Sequence, residues 1–284
     1  MKKLGLIILI FTLVSCTKYE IETIDGNQPP DETVITTDMR EAYVNRLYIT
    51  LLGRKANADE FAASLKVLGS QASRSDRELL IDSLASKEDY LQQLYTIARA
   101  DYLESVDTAT IRYDYEQAVM ILQNSTGNSR EYWLDRVERI GRLLRIPGQL
   151  DSNLIDIIEV HRRVVDNPYY DDINMGTENF VVACFQNFLF RYPTDVELDE
   201  CSDMVDGFPA SLFFQAGSSK EDFINIFFSS DDYYEGQVVN LYRKYLFRQP
   251  TTNEVSIKMA DYAQNLNYLT LQKEILASDE YFFN

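Results

Sequence analysis

The sequence predicts an all-α protein, a helical array built on three helix-turn-helix units plus a central helical insert. Three observations predict it. From residue 40 onward apolar side chains recur at the spacing of a helix face. No run sustains two-residue alternation, so no sheet is expected. One segment occurs three times.

The copies align without gaps. Unit 1 reads Tyr43-Val-Asn-Arg-Leu-Tyr-Ile-Thr-Leu-Leu-Gly-Arg54, unit 2 Phe180-Val-Val-Ala-Cys-Phe-Gln-Asn-Phe-Leu-Phe-Arg191, and unit 3 Gln237-Val-Val-Asn-Leu-Tyr-Arg-Lys-Tyr-Leu-Phe-Arg248. In unit 2, Val181, Phe185, Phe188 and Leu189 fall on one helix face. Each helix stops at its arginine, whose charge suits the negative end of the helix dipole. Pro193 and Pro250 block continuation. Thr194 with Glu197, and Thr251 with Glu254, are capping boxes that start a second helix; Asn57 with Glu60 is a weaker version. Each unit closes alike, on Ser86-Lys-Glu-Asp-Tyr90, Ser230-Asp-Asp-Tyr233 and Ser278-Asp-Glu-Tyr281, serine caps followed by an aromatic anchor. Between units 1 and 2, helices are expected around residues 95–102, 112–123, 130–144 and 150–165, with Pro147-Gly148 as a break.

The N-terminus is of a different kind. Lys2 and Lys3 precede an apolar run over residues 4–14, too short to span a bilayer, and Leu13-Val14-Ser15-Cys16 is a lipobox. The expected order is a lipoprotein signal peptide at 1–15, with Cys16 as the lipidated mature N-terminus. A flexible tether follows at 16–39, then an N-terminal helical region with unit 1 at 40–177 and a C-terminal region with units 2 and 3 at 178–284. Net charge is −18. That surface repels phosphate backbones and anionic lipid, so nucleic acid is a poor partner and the lipid on Cys16 must supply membrane attachment.

Candidate chemistry is sparse. Cys184 and Cys201 lie eight residues either side of the Tyr192-Pro193 turn, opposite each other in a helix hairpin; a disulfide and two buried thiols are both open. No metal or cofactor is expected: the one histidine, His161, has no cysteine near it, and Asp171-Asp172 and Asp231-Asp232 lack the alternating ligands of a calcium loop. No nucleophile motif accompanies His161, so it reads as a surface or satisfied histidine rather than a general base, and no enzyme is expected. Tyr169, Tyr170 and Tyr234 are the aromatic residues expected at the surface, with Pro168-Tyr169-Tyr170 as the best sugar-stacking patch. Arg54, Arg191 and Arg248, with Glu60, Glu197 and Glu254, are read as structural turn residues, because a ligand hook rarely recurs three times on one scaffold turn.

The pattern of Leu-Gly/Phe-Arg, Pro-Thr and Glu, closed by Ala277-Ser-Asp-Glu-Tyr-Phe282, resembles a bacterial helical domain of unknown function found in tandem on secreted and surface proteins. The turn at Leu51-Leu-Gly-Arg54 is also similar to that of phycobilisome linker domains; Phe190 and Phe247 depart from its glycine. Asp171-Asp-Ile-Asn-Met-Gly176 is similar to a stretch in Bacteroidota lipoproteins. The resemblance covers about half the chain and implies an extracytoplasmic module without assigned activity. Together these features predict a lipid-anchored outer-membrane lipoprotein, on the periplasmic or cell-surface face. It would act as a non-catalytic interaction or scaffolding subunit of an envelope complex with a protein partner. The alternative is a glycan- or peptidoglycan-binding module.

Overall fold

The computed structural model describes residues 34–284, and Ile35–Asn284 form one compact unit. The lipobox, with Cys16, and most of the expected tether lie outside the described residues. The first helix begins at Thr37, not after Met39, because the Thr36 side chain accepts the Met39 amide and caps it.

The described residues form an all-α array. Unit 1 supplies α1 (Thr37–Leu52), α2 (Ala58–Leu68) and α3 (Arg74–Ala85). The insert supplies α4 (Glu88–Tyr102), α5 (Thr108–Gln123), α6 (Gly127–Leu144), α7 (Ile146–Asp151), α8 (Ile157–Val165) and α9 (Pro168–Ile173). Unit 2 supplies α10 (Thr177–Cys184), which runs on into a π-helical turn at Phe185–Leu189, then α11 (Asp195–Val205), β1 (Ala210–Leu212), β2 (Gln215–Gly217) and α12 (Lys220–Phe227). Unit 3 supplies α13 (Asp231–Leu246), α14 (Thr252–Asn265) and α15 (Tyr268–Leu276), and α16 (Asp279–Phe283) closes the chain. Each unit is therefore three helices; Ser230 and Ser278 cap the helices that follow units 2 and 3, whereas Ser86 ends α3 and donates to the Ser83 carbonyl, leaving α4 without a side-chain cap.

The repeat is a repeat of burial. Val44, Val181 and Val238 are wholly buried, as are Leu47, Cys184 and Leu241. Leu51, Phe188 and Tyr245 share a third core position. Burying side chains of this size stabilises by ~1.5–3 kcal/mol each, so three equivalent faces build most of one core. The first helix and the last two meet in it. The Tyr43 hydroxyl donates to the Leu276 carbonyl at 3.0 Å, and Arg46 donates to the carbonyls of Tyr281 and Phe282 at 2.8 and 2.9 Å. Arg77 pairs with Asp279 and lies over the Phe282 ring.

Three expectations are corrected. A sheet does exist, an antiparallel hairpin pairing Ala210 with Gly217 and Leu212 with Gln215. Strands of three residues are too short to display alternation. The break expected at Pro147-Gly148 falls two residues earlier, at Arg145: α6 ends at Leu144, and Pro147 sits in the first turn of α7, where proline lacks no needed hydrogen bond. The helix expected over residues 150–165 is split after Asp151, where Asn153 takes a left-handed conformation, and Asp156 caps α8.

Candidate functional site

The turn arginines occupy one geometry three times. Arg54 grips Glu60 with both terminal nitrogens at 2.7 and 2.9 Å, and its Nε reaches Asp89 at 2.7 Å. Arg191 holds Glu197 at 2.8 and 2.7 Å and Asp232 at 2.8 Å. Arg248 holds Glu254 at 3.0 and 2.7 Å and Glu280 at 2.6 and 2.7 Å. Each also donates to the carbonyl of the next residue, and each guanidinium lies 5.0–5.8 Å from the ring centre of Tyr48, Phe185 or Tyr242. The second acid is in every case the residue before the closing tyrosine. One planar fork thus ties the first two helices of a unit to the helix that follows the unit, a task for which a lysine point charge is unsuited.

The glutamates are equally committed. Glu60, Glu197 and Glu254 accept the backbone amides of Asn57, Thr194 and Thr251, and all three capping boxes are complete, including the one expected to be weaker. Bonding to the arginine holds Glu197 and Glu254 down to about 2 and Glu60 below the usual carboxylate range. Groups so paired stay ionised at neutral pH and transfer no proton. The residue before each arginine is left-handed, with φ of 67° at Gly53 and 55° at both Phe190 and Phe247. Glycine takes this conformation freely; phenylalanine takes it under strain.

His161 is a satisfied core residue. Its Nδ1 lies 2.7 Å from the Tyr233 hydroxyl, and its ring packs against Tyr102 and Phe188. Burial, with Lys244 adding to it, lowers its pKa to about 3, so it is neutral in ordinary buffers. Beside it lies a cavity of about 20 Å³, lined among others by Asn240, Lys244 and Gln272, room for about one water. Cys184 and Cys201 are free, buried thiols, so the disulfide alternative fails. Cys184 fills the core position of Leu47 and Leu241. Burial pushes both thiols up, Cys201 to about 12, which leaves them unreactive.

The expected aromatic patch does not form. Tyr170 is wholly buried and accepts from Asn187 at 3.0 Å, while Tyr169 is half-buried and donates to Asp114 at 2.7 Å. Neighbours on a helix point about 100° apart, so α9 sends one tyrosine into the core. Tyr234 is half-buried against the Tyr233 and Tyr262 rings. Tyr169 does line an open surface depression of about 610 Å³ with Glu104 and Asp172. Of the acids weighed for calcium, Asp171 pairs with Arg139 and Lys220, and Asp232 with Arg191. Among the described residues no cluster could hold a metal, and no helix is long and apolar enough to cross a membrane.

Two surface features escaped the sequence. One is the β-hairpin of unit 2, whose central residues Phe213 and Phe214 have φ of 49° and 64°. Phe-Phe is not a recognisable hairpin turn, which favours Asn-Gly. The other is the free end of the α5–α6 hairpin, with exposed Met120, Ile121, Tyr132 and Leu134. No protein-family model matches the chain, and no curated protein or solved structure matches it.

Proposed function

We propose that this chain is a membrane-anchored envelope lipoprotein that works as a non-catalytic interaction subunit, contacting a protein partner through the β-hairpin of unit 2. The observation that carries the reading is Phe214. Units 1 and 3 join their second and third helices by residues 69–73 and 266–267, whereas unit 2 inserts the hairpin at this joint. Left-handed phenylalanine costs ~1–2 kcal/mol. Phe213 recovers it by packing near Phe185 and Phe227. Phe214 is fully exposed and recovers nothing within the chain. Strain and an exposed aromatic at one tip suit a contact completed by another molecule. Phe208 and Tyr192, also exposed, extend the apolar character of unit 2. Anchoring rests on Leu13-Val14-Ser15-Cys16.

Pull-down of the full chain from detergent-solubilised envelopes, beside the Phe214→Ser variant, tests the contact. A stoichiometric partner recovered by the wild type and lost from the variant, with melting unchanged, is expected. A partner retained by the variant sinks the hairpin as the contact. Mass spectrometry of the native protein should find acylated Cys16 at the N-terminus, and residue 1 intact would end the anchoring claim.

A second reading, glycan binding, draws on the depression at Tyr169. Glu104 and Ser105 beside it are both left-handed, and Glu104 and Asp172 offer acceptors for sugar hydroxyls. Saturable binding of peptidoglycan fragments, abolished by Tyr169→Ala, would favour it over the protein contact.

A further inference from the structure

The β-hairpin of unit 2 is accompanied by charge that the other units lack. The second helix of unit 2, α11, carries Asp195, Glu197, Asp199, Glu200 and Asp203 and no lysine or arginine, a net −5. The matching helices are nearly neutral: α2 carries Asp59, Glu60 and Lys66, and α14 carries Glu254, Asp261 and Lys258, a net −1 in each. Aligned on the capping-box glutamate, Asp199, Glu200 and Asp203 stand where unit 1 has Ala62, Ala63 and Lys66 and unit 3 has Ser256, Ile257 and Ala260. The same helix therefore forms twice without them. They also work against it. Asp199 and Asp203 are like charges one turn apart, and Asp203 lies in the last turn, at the negative end of the dipole. Among the described residues, Glu197 alone of the five is in an ion pair. Acids also sit at both roots of the hairpin. The Glu200 carboxylate accepts the Ser211 amide at 2.7 Å, and Asp222, in the first turn of α12, accepts the Ser218 amide at 2.9 Å. Lys220, the one cation of residues 192–222, is held by Asp171.

We propose that the hairpin tip and the acidic helix beside it form one docking surface for a cationic protein, whose lysines or arginines face the α11 acids around an apolar socket that takes Phe214. This rests on the hairpin contact proposed above and names the chemistry of its partner. Charge selects the occupant. A second copy of the chain would bring the same acids, and like charges brought together at an interface are costly. An anionic lipid surface is repelled in the same way, so the tip is not a membrane wedge. A protein surface rich in lysine and arginine is attracted instead, over a range of about 8–10 Å at physiological ionic strength. The two features divide the work. Phe214, fully exposed, supplies the apolar anchor that a docking site buries at its centre. The acids speed the encounter and turn away wrong partners. That division explains why the charge and the hairpin occur in the same unit and in neither of the others.

The test uses the partner that the full chain captures from envelopes and that Phe214→Ser does not. Once purified, that partner is titrated against the full chain at ~0.05 and ~0.5 M sodium chloride. Wild-type affinity should fall about tenfold or more over that range, mainly through slower association. Glu200→Gln with Asp203→Asn should weaken binding about tenfold at low salt and reduce the salt dependence. Glutamine keeps an oxygen for the Ser211 amide, so melting should not fall. Asp59→Asn with Glu131→Gln, an equal loss of charge at exposed positions elsewhere, should bind like the wild type. A partner lost in Phe214→Ser whose affinity ignores both salt and the Glu200/Asp203 change overturns the cationic partner and leaves the hairpin contact standing. Equal weakening by the two double changes overturns it as well, by reducing the effect to overall charge. If Phe214→Ser loses no partner, the hairpin contact fails and this inference falls with it.

Discussion

In unit 3 the second and third helices are joined by two residues, Leu266 and Asn267; in unit 2 the same joint takes the fourteen residues 206–219 and carries a strained hairpin. Around these joints the units agree closely. Both end their first helix on a left-handed phenylalanine, grip a capping-box glutamate with the next arginine, and lock that arginine to an acid of the helix that follows the unit. What recurs is what three packed helices require. What occurs in one unit, and at Phe214 gains no packing, points outward. The same comparison separates the first helices. That of unit 2 ends in a π turn, and α13 crosses it so closely that a β-carbon on Gly236 would fall 1.8 Å from the Phe188 carbonyl oxygen. The equivalent residue of unit 1, Ala42, is exposed.

That crossing gives the largest expected effect. Gly236→Ala must push α13 off the backbone of unit 2, and backbone yields poorly, so about 3 kcal/mol of stability should be lost. Ala42→Ser, at the matching position of unit 1, should stay within ~0.5 kcal/mol. Urea denaturation reads both. Equal effects would mean that units 1 and 3 are packed alike and break the comparison.

The closing tyrosines give the next. Tyr233 of unit 2 meets His161, whereas Tyr281 of unit 3 meets the Thr50 hydroxyl at 3.2 Å, which does not titrate. The His161 pKa falls from 6.5 to about 3 on folding, so the unfolded chain binds the extra proton. Stability from this contact is complete above pH 6.5 and declines as pH falls, by about 2 kcal/mol at pH 5. His161→Gln should flatten the profile between pH 6.5 and 5. The glutamate clasps act in a lower window: Glu197 and Glu254 are depressed to about 2, so their contribution fades only as pH drops from about 4.5 toward 2. A wild-type profile already flat from pH 7 to 5 would remove His161 from the account.

The parts of this molecule legible in sequence are those built by local rules. Capping boxes, the spacing of Val181, Phe185 and Phe188, and the stop at each arginine are decided within a dozen residues, and they survive in the structure. The partners Asp89, Asp232 and Glu280 were half legible, since the closing motifs were visible but not that each would fold back on its arginine. Tyr170 was misplaced because its direction depends on where α9 begins, which the Asn167 cap decides. Whether Cys184 and Cys201 are bonded was illegible, because hairpin symmetry says nothing of which way a side chain points. The Phe213-Phe214 turn was illegible, because its conformation contradicts residue preference and exists only through tertiary packing of Phe213.

The clasp itself should break more gently than its bond list suggests. Side chains of Arg191 and Glu197 remain 37% and 21% exposed, so water compensates for part of what is lost. Arg191→Ala should cost about 1–2 kcal/mol, and Arg191→Lys should recover less than half, because an ammonium cannot hold Glu197 and Asp232 in one plane. Thermal melts of both variants decide it. Full rescue by lysine would reduce the clasp to simple charge pairing.

The smallest effect has the opposite sign and tests the left-handed turn directly. Gly53, Phe190 and Phe247 share one backbone conformation, so the phenylalanines carry strain that glycine would relieve. The two are not equal. Arg243 stacks on the Phe190 ring at 4.9 Å, whereas Phe247 is 85% exposed. Relief of ~1–2 kcal/mol at a left-handed residue is offset by ~0.5–1 kcal/mol for the extra freedom glycine gives the unfolded chain. Phe247→Gly should therefore stabilise by about 0.5–1 kcal/mol, and Phe190→Gly by less, since it also forfeits the cation stacking. Chemical denaturation of the two variants in parallel resolves the order. A loss of stability on Phe247→Gly would show that this exposed ring contributes packing within the chain, and would weaken the argument that exposed, left-handed phenylalanines such as Phe214 are held for a contact outside it.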